Sequence, residues 1–472
     1  MEDVIIVGAG PTGLWAAAEL ALAGLSTVVI ERSHERSPHS KALGLHARTL
    51  EILAMRNLIE PFLAQGRPMP MWHFGMLATR LDLRLLDTPY PYMLAIPQRL
   101  TEELIERRAL DLGVRILRGR EVTGLQQDEE KVALEVDAAG ERSTLNARFV
   151  IGADGGRSTV RALADIGFSG TDGMNFGYIG EVTLDAPPSN PVVSLYGNDG
   201  AFITIPLGAG RYRLAGFDPH RQQPGDDLTL ERLRDIAVSF MGSDLGMRDP
   251  TWLTRFSDQT RLADNYRNGR VFLAGDAAHI TWPTGGVGLN VGIQDAMNLS
   301  WKLASAIHGR SDDRLLSSYN AERRPVGQDL VEHTLAQGAL ITATTRSGQQ
   351  LRALMSDMLL RAPGIMQDLA AKLSGLEVDY ADPQPGHHQL VGRRVPNLRL
   401  ADGRKLFEVM EDGRPVRLAN AEGYLDPSTI PTELGNATVV RLAEEQGREE
   451  WIALSDAIVR PDGHLGWARS IT

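Results

Sequence analysis

Residues 4–24, VIIVGAGPTGLWAAAELALAG, decide the fold of this chain. The continuous apolar run VIIV is typical of a parallel β-strand that is covered on both faces. In the turn that follows, Gly8 permits a tight bend, Gly10 lets the backbone approach a pyrophosphate, and Gly13 lets the next helix pack closely against the strand. That helix is expected to end at Gly24, and its N-terminus offers free N–H groups to an anion.

Acidic residues follow the predicted strands at three places. STVVIE ends in Glu31, where a carboxylate can accept a ribose hydroxyl. FVIGADGG delivers Asp154 and RVFLAGD delivers Asp276, each beside glycine. Two such aspartates suit a ligand with a long hydroxylated chain, which FAD has in its ribityl group and NAD lacks. We therefore predict a dinucleotide site, and FAD in preference to NAD; the alternative is a glycine-rich turn in an ordinary α/β fold.

Composition limits the classes of function. A chain of 472 residues is long enough for two or three domains. The net charge of −11 disfavours nucleic acid and anionic membranes as partners. The absence of cysteine excludes disulfides, thiol chemistry and sulfur-ligated metal, and no metal site is predicted. The acidic N-terminus does not resemble a signal peptide and no apolar run reaches ~18 residues, so we expect a cytoplasmic protein.

The pattern of elements predicts an α/β fold with several units. Residues 1–175 and 260–375 are assigned to a Rossmann-type domain with a helical extension. Short, turn-separated β runs over residues 176–259 predict an inserted antiparallel sheet that contacts the substrate. A proline-rich linker then precedes a third unit at residues 386–472.

At this point the chain resembles the flavin-dependent aromatic hydroxylases of the para-hydroxybenzoate hydroxylase class. The bacterial members that act on polycyclic polyketides or on rifampicin, which carry a thioredoxin-like C-terminal domain, are the most similar. The resemblance covers most of the chain and rests on these segments: GAGPTG (8–13), SKALGLHARTLEIL (40–53), IPQRLTEEL (96–104), GADGGRSTVR (152–161), GDAAHITWPTGGVGLNVGIQDAMNLSWKLA (275–304), GRRVPNLRLADGRKLFEVMEDGR (392–414) and IVRPDGHLGWA (458–468). The third unit lacks a Cys-x-x-Cys pair, so it is expected to be structural.

The resemblance implies roles for individual residues around FAD. Those expected at the pyrophosphate and ribose are Gly8, Gly10, Pro11, Thr12, Gly13 and Glu31. Those expected along the rest of the cofactor are Arg32, Arg48, Gln98, Val122 (through its backbone, at the adenine), Asp154 (indirectly), Gly275 and Asp276. Those expected to face the flavin ring are Pro283, Gly286, Val287, Gly288, Leu289 and Asn290. The helix that begins near Leu289 would direct its positive end at the flavin N1–C2=O edge.

A second set of residues is expected to form the substrate pocket; for Trp72, Phe74, Phe202 and Phe217 the alternative is that they belong to the core. These are His46, Trp72, Phe74, Phe202, Phe217, Trp282 and Pro283. His279 is interpreted as a structural residue of its turn. Trp282 and Val287 stand where family members frequently have Pro and Gln, so the pocket wall is expected to differ from that of relatives.

The implied activity is an NAD(P)H- and O2-dependent monooxygenase that hydroxylates a large aromatic substrate through a flavin C4a-hydroperoxide. No side chain is assigned as an obligatory acid or base, although Arg48 is kept as a candidate. Two alternatives stay open: Baeyer–Villiger or antibiotic-inactivating oxygenation, and a flavin-binding protein without turnover. A small-molecule aromatic partner and a monomer or homodimer are expected.

Overall fold

The computed structural model describes residues 1–220, 222–223, 225, 227–380, 388–419, 430–443 and 448–470. The elements up to residue 171 are, in chain order, β1 (Glu2–Val7), α1 (Pro11–Leu22), β2 (Thr27–Glu31), β3 (Gly44–Leu45), α2 (Ala47–Ala54), α3 (Ile59–Gln65), β4 (Arg67–Met69), β5 (Met71–Trp72), β6 (Leu81–Asp82), β7 (Met93–Ala95), α4 (Gln98–Asp111), β8 (Arg115–Arg118), β9 (Glu121–Gln127), β10 (Val132–Ala138), β11 (Glu141–Gly152), α5 (Thr159–Leu163) and β12 (Phe168–Thr171). Next come β13 (Phe176–Leu184), β14 (Val193–Gly197), β15 (Gly200–Gly208), β16 (Arg211–Phe217), α6 (Leu230–Met241) and β17 (Met247–Ser257).

The second half of the chain is helical before it returns to strands. Its first elements are β18 (Thr260–Ala263), β19 (Arg267–Asn268), β20 (Val271–Leu273), β21 (His279–Ile280), α7 (Gly288–Ile307), α8 (Asp313–Thr342), α9 (Arg346–Arg361) and α10 (Pro363–Leu373). The C-terminal unit contains β22 (Val416–Ala419), β23 (Thr438–Val440), α11 (Glu449–Ile452), β24 (Leu454–Val459) and β25 (Leu465–Ser470).

A parallel sheet forms the centre of the first unit. Strands β20, β11, β1, β2 and β8 lie side by side in that order, and each neighbouring pair is parallel. Ile5 and Ile6 of the central strand β1 are fully buried, as the unbroken apolar run predicts. Helix α1 ends at Leu22 and Gly24 takes a φ of +81°, so the predicted glycine stop is confirmed. The α/β class and the Rossmann-type order are therefore confirmed.

The inserted unit is an antiparallel sheet of order β14-β15-β16-β13-β17. One face of this sheet packs on α6, where Phe202 and Leu214 are buried against Leu233. The other face is turned toward the parallel sheet of the first unit and helps to enclose a cavity. The sheet is consequently both the core of its own unit and a wall of the site.

The C-terminal unit has the strand order β23-β22-β24-β25. Strand β22 is parallel to β23 and antiparallel to β24, and β24 is antiparallel to β25. This is the arrangement of a thioredoxin-like sheet, as the resemblance implies. Leu406 and Phe407 of this unit belong to the same hydrophobic cluster as Ile52 and Leu53 of α2, so the unit shares its core with the first. In the described parts of the chain, no helix has both the length and the apolar character needed to cross a membrane.

Candidate active site

One large cavity lies between the carboxyl edge of the parallel sheet and the inserted sheet. Its volume is about 1340 Å³. The predicted residues that line it are Gly8, Gly10, Pro11, Thr12, Glu31, Arg32, His46, Trp72, Gln98, Val122, Asp154, Asp276, Trp282, Pro283, Gly286, Val287, Gly288 and Leu289. The structure thus brings together side chains that lie far apart along the sequence.

The glycines of the first turn are needed for close approach. Gly8 has a φ of +108°, and a Cβ there would come within 2.3 Å of the Ala153 carbonyl oxygen. A Cβ on Gly13 would come within 2.0 Å of the Gly8 carbonyl oxygen, so α1 packs on the turn as predicted. Gly10 is different, because a Cβ there meets no atom within 4 Å and Gly10 faces the open cavity. Its task is to keep space for a ligand.

Glu31 closes this turn from the neighbouring strand. Its Oε2 accepts a hydrogen bond of 2.9 Å from the Ala9 amide, and its Oε1 accepts one of 2.8 Å from the Ser33 amide. The carboxylate is thereby fixed at the edge of the cavity, and its remaining acceptor capacity suits a diol. Gln98 is also fixed, because its Oε1 accepts from the Ala42 amide at 2.9 Å and its Nε2 donates to Glu102 at 2.7 Å.

Asp154 and Asp276 differ in role. The Asp154 carboxylate accepts hydrogen bonds from Ser158 Oγ and from the amides of Thr159 and Val160, so it stabilises the start of α5. That Asp154 supports a cofactor indirectly, as the resemblance implies, stays a prediction. The Asp276 carboxylate has no hydrogen-bond partner among the described residues. It projects into the cavity, and the surrounding protein raises its pKa by desolvation.

The segment from Pro283 to Leu289 is shaped by two consecutive left-handed glycines. Gly285 has a φ of +74° and Gly286 a φ of +72°. In this conformation the Gly285 carbonyl oxygen lies 2.9 Å from His46 Nε2 and accepts a hydrogen bond of 3.0 Å from Trp72 Nε1. Helix α7 then begins at Gly288 without a side-chain cap, so its first amides stay free beside the cavity. A helix start of this kind favours negative charge.

Asn290 acts behind this segment rather than in the cavity wall. Its Oδ1 accepts from the His46 amide at 2.7 Å, and its Nδ2 donates to the Gly286 carbonyl at 2.9 Å. His46 is buried, which lowers its pKa to about 4 and keeps the ring neutral at pH 7. His46 and Asn290 therefore hold the loop as neutral hydrogen-bonding groups.

Asp295 is a site residue that the sequence analysis did not identify. It is fully buried on α7, and its Oδ2 accepts from the Gly275 amide at 3.0 Å and contacts His279 Nε2 at 2.7 Å. Its Oδ1 accepts from Arg323 Nε at 2.7 Å. Asp295 thus fixes the turn that presents Asp276, and His279 has the structural role expected of it. The signal was an Asp in the middle of a long helix between the apolar residues Ile293 and Met297, where a buried carboxylate needs a partner.

Arg48 does not lie along the cavity. Its Nη1 donates to Glu51 at 2.9 Å and its Nη2 donates to the Asp462 carbonyl at 2.6 Å, and the side chain is only 2% exposed. The guanidinium points instead into the contact with the C-terminal unit. Arg48 consequently connects the first unit to the C-terminal unit and is not a candidate for catalysis. Gly275 and Gly13 also stand behind the lining, where they allow close packing on Thr12 and on Gly8.

The aromatic residues predicted for the substrate end are only partly there. Trp72 and Trp282 line the cavity. Phe202 does not, because alternate residues of β15 face opposite sides, and Ile203 and Ile205 are the ones that face the cavity. Phe217 packs behind Trp282, with ring centroids 6.2 Å apart. Phe74 packs on His333 with centroids 5.4 Å apart, in a separate hydrophobic cluster.

The residues present fit FAD. A Cβ on Gly10, Gly155 or Gly288 would meet no atom within 4 Å, and all three line the cavity, so the cradle is open where side chains would fill it. The unpartnered carboxylate of Asp276 matches a hydroxylated chain, and the free amides at the start of α7 match an electron-rich ring edge. Among the described residues, no group of three or more His, Asp or Glu side chains is arranged to hold a metal ion. Fold and cavity together define an FAD-binding protein whose cavity extends beyond the cofactor cradle to the inserted sheet.

Comparison with known proteins identifies the family. An FAD binding domain family matches residues 1–334, and the C-terminal domain of aromatic-ring hydroxylases matches residues 388–472. The chain therefore belongs to the FAD-dependent aromatic-ring hydroxylases, which are flavoprotein monooxygenases that use NAD(P)H and O2.

Several relatives match along almost their entire length. An uncharacterised aromatic compound monooxygenase of Bacillus subtilis is 42% identical, over 99% of this chain and 94% of that protein. A rifampicin monooxygenase of Streptomyces venezuelae is 40% identical, over 99% of this chain and 96% of that protein. The solved structure of OxyS, an anhydrotetracycline hydroxylase from Streptomyces rimosus, is 39% identical with a TM-score of 0.88, over 99% of this chain and 96% of that one. The interpretation as a flavoprotein without turnover is therefore not supported.

Proposed function

We propose that this monooxygenase hydroxylates a large polycyclic aromatic substrate of polyketide type. The observation that carries the proposal is the cavity, whose volume of about 1340 Å³ exceeds the roughly 300–1000 Å³ usual for a single ligand. The cofactor cradle occupies only the end near the parallel sheet. The other end is walled by apolar side chains, among them Met69, Met76, Ile203, Phe256 and Trp282. Relatives named for rifampicin and anhydrotetracycline support the same substrate class.

The chain contributes orientation and exclusion of water. The bound FAD supplies the redox and oxygen chemistry of this class. The segment from Pro283 to Leu289 would support the ring, held by the hydrogen bonds of His46 and Trp72 to Gly285. The apolar wall keeps water from the reacting centre. No side chain at the apolar end needs to act as an acid or base in this scheme.

The direct test is NAD(P)H oxidation by the FAD-loaded protein with a panel of aromatic compounds. The panel runs from simple phenols through tetracyclic polyketides to rifamycins, and products are analysed by mass. Faster oxidation with one polycyclic class and the gain of one oxygen atom is the expected result. Stimulation by small phenols alone, or oxidation that yields only peroxide with every polycyclic compound, would contradict the proposed substrate class.

A second candidate outcome is Baeyer–Villiger or antibiotic-inactivating oxygenation, which the similarity to a rifampicin monooxygenase favours. Hydroxylation and ring insertion both add one oxygen, so the mass alone does not separate them. The connectivity of the product does, because insertion converts a ketone into an ester. NMR of the isolated product therefore decides between the two.

We further propose that the protein acts in the cytoplasm as a monomer or homodimer. The first and C-terminal units of one chain share a hydrophobic core, so neither unit needs a second copy of the chain to cover that surface, and this supports a small assembly. Size-exclusion chromatography with light scattering measures the mass in solution, and a larger assembly would contradict this part of the proposal.

A further inference from the structure

An arginine without a partner lies at the apolar end of the cavity. Arg80 lines the cavity and is half-buried. It forms no hydrogen bond or ion pair with any residue that the structure describes, and its Nη1 atom is buried without a partner. A guanidinium removed from water in this way is costly unless an anion or several acceptors offset it.

The surroundings of Arg80 increase the need for a negative partner. Arg80 directly precedes β6, whose Leu81 pairs with Trp72 of β5, so it lies close to the loop that supports the flavin. His73 is its neighbour, with a ring centroid 5.3 Å from that of Trp72 and an unpartnered, buried Nδ1. Burial and the positive charge of Arg80 lower the pKa of His73 to about 3, so this histidine is neutral.

A second cation stands behind the same wall. Arg352 is 6% exposed and donates to the carbonyl oxygens of Gly75, Met76 and Leu340, with its guanidinium 3.3 Å from the centroid of the Tyr196 ring. It forms no ion pair with a carboxylate among the described residues. Its partners are therefore neutral, and its charge adds to the positive potential around Arg80.

The carboxylates of the cavity lie at the opposite end. Those that line it are Glu31, Glu121, Asp154 and Asp276, and all four belong to strands of the FAD-binding unit or to the turns that follow them. Arg213, which lines the cavity from β16 of the inserted sheet, is already paired with Glu181. The apolar end thus has an excess of positive charge that the described chain leaves uncompensated.

We propose that Arg80 binds a deprotonated oxygen of the aromatic substrate, of the kind carried by an acidic phenol or enol. Arg80 would thereby select polycyclic compounds with an ionised hydroxyl and fix their orientation against the flavin-supporting loop. This inference rests on the proposed function, because it concerns a substrate in the same cavity. It adds the charge of the substrate to its size and aromatic character.

The test measures binding to the FAD-loaded protein without turnover. The probes are 1,2-dihydroxyanthraquinone, whose hydroxyl ionises near neutral pH, and anthraquinone, which has the same ring system and no ionisable group. Binding is followed by the change in the flavin absorption spectrum. The wild-type protein is expected to bind the ionised probe more tightly than the neutral one, and its affinity should rise with pH as the probe ionises.

Arg80→Gln removes the charge and Arg80→Lys keeps it. A charge-assisted hydrogen bond is worth enough that Arg80→Gln should weaken binding of the ionised probe by about 10–100-fold and that of anthraquinone by less than about 3-fold. Arg80→Lys should restore part of the loss. Arg84→Gln is the matched control, because Arg84 is exposed on the same segment and is paired with Asp82.

Different failures point to different conclusions. If both probes bind and Arg80→Gln leaves the preference for the anion intact, the role of Arg80 is overturned while the aromatic site stands. If neither probe alters the wild-type spectrum, the aromatic-substrate proposal fails, and this inference fails with it. If Arg80→Gln does not retain FAD, the pH dependence of the wild type decides, and affinity that does not rise with probe ionisation overturns the inference.

Discussion

Replacing Asp295 with Asn should destabilise the protein strongly, although Asp295 is outside the cavity. Its fully buried carboxylate contacts Arg323, His279 and the Gly275 amide. Asn keeps the shape of the side chain but removes the charge. Arg323 is also fully buried, and its remaining partners would be the neutral Tyr380 hydroxyl at 2.9 Å and Val291 carbonyl at 3.2 Å.

The expected loss follows from that uncompensated charge. Removing one partner of a buried ion pair costs about 3–5 kcal/mol. With an unfolding entropy of about 2.1 cal/mol/K per residue over 472 residues, this corresponds to a fall in Tm of roughly 3–5 °C. Burial alone would raise the pKa of Asp295, but Arg323 and His279 outweigh burial and hold it below its usual value. The stabilisation is therefore complete above the unfolded-state pKa of about 3.9 and is lost as pH falls through the lower folded value.

Thermal unfolding of the FAD-free protein at pH 7 is the assay, with FAD affinity measured in parallel. FAD should bind more weakly to Asp295→Asn, because the Gly275–Asp276 turn loses its anchor. Asp313→Asn is the matched control: Asp313 also pairs with an arginine, Arg267, but its side chain is 72% exposed, so the change should cost less than about 1 kcal/mol. Equal Tm values for the two variants would refute the argument that burial sets the cost.

Three further changes test other parts of the structure. Gly10→Val should leave the Tm of the FAD-free protein near that of wild type, since a Cβ there meets nothing within 4 Å, but should weaken FAD binding by at least about 10-fold in a fluorescence titration; unchanged affinity would contradict the assigned cradle. Phe202→Ala should lower the free energy of unfolding by about 3–5 kcal/mol with little effect on ligand affinity. Ile203→Trp should instead narrow the cavity and raise KM for polycyclic substrates at unchanged flavin content. The reverse pattern would contradict the assigned faces of β15. Burial lowers the pKa of His46 from 6.5 to about 4, so the unfolded chain binds a proton at this residue at higher pH than the folded protein, and stability should fall as pH drops from about 6.5 to 4. Denaturation midpoints across this range should vary less in His46→Gln than in the wild type. An equally steep pH profile in His46→Gln would exclude His46 as the cause of the pH dependence.

The features that sequence could predict depend on local backbone chemistry. Gly8 and Gly13 occupy positions where a Cβ would meet a carbonyl oxygen at 2.3 and 2.0 Å, so the spacing of the glycines carries the geometry directly. Gly24 ends α1 for a similar local reason. The parallel sheet follows, because an unbroken apolar strand needs cover on both faces.

The features that the sequence did not predict depend on which face of a strand each side chain occupies, or on contacts between residues far apart along the chain. Phe202 and Ile203 are adjacent, and only the register of β15 decides which one faces the cavity. Arg48 lies in a segment expected along FAD, yet its partner is the Asp462 carbonyl, more than 400 positions away. Long-range pairs of this kind leave no periodic pattern in a single sequence.

The attachment of the C-terminal unit has a consequence for building hybrid enzymes. Arg460 of that unit pairs with Glu322 of α8, which also binds the fully buried Lys302 of α7. Arg56, in the turn after α2, donates to the Pro461 carbonyl at 3.0 Å. A C-terminal unit transplanted from a relative would have to supply these same charges and acceptors. Without them, the hybrid would contain buried cations that have no partner, so the C-terminal unit cannot be exchanged independently of the helices it contacts. Recombination points for such hybrids should therefore be chosen so that both sides of these contacts come from the same parent, rather than at the linker that precedes the C-terminal unit.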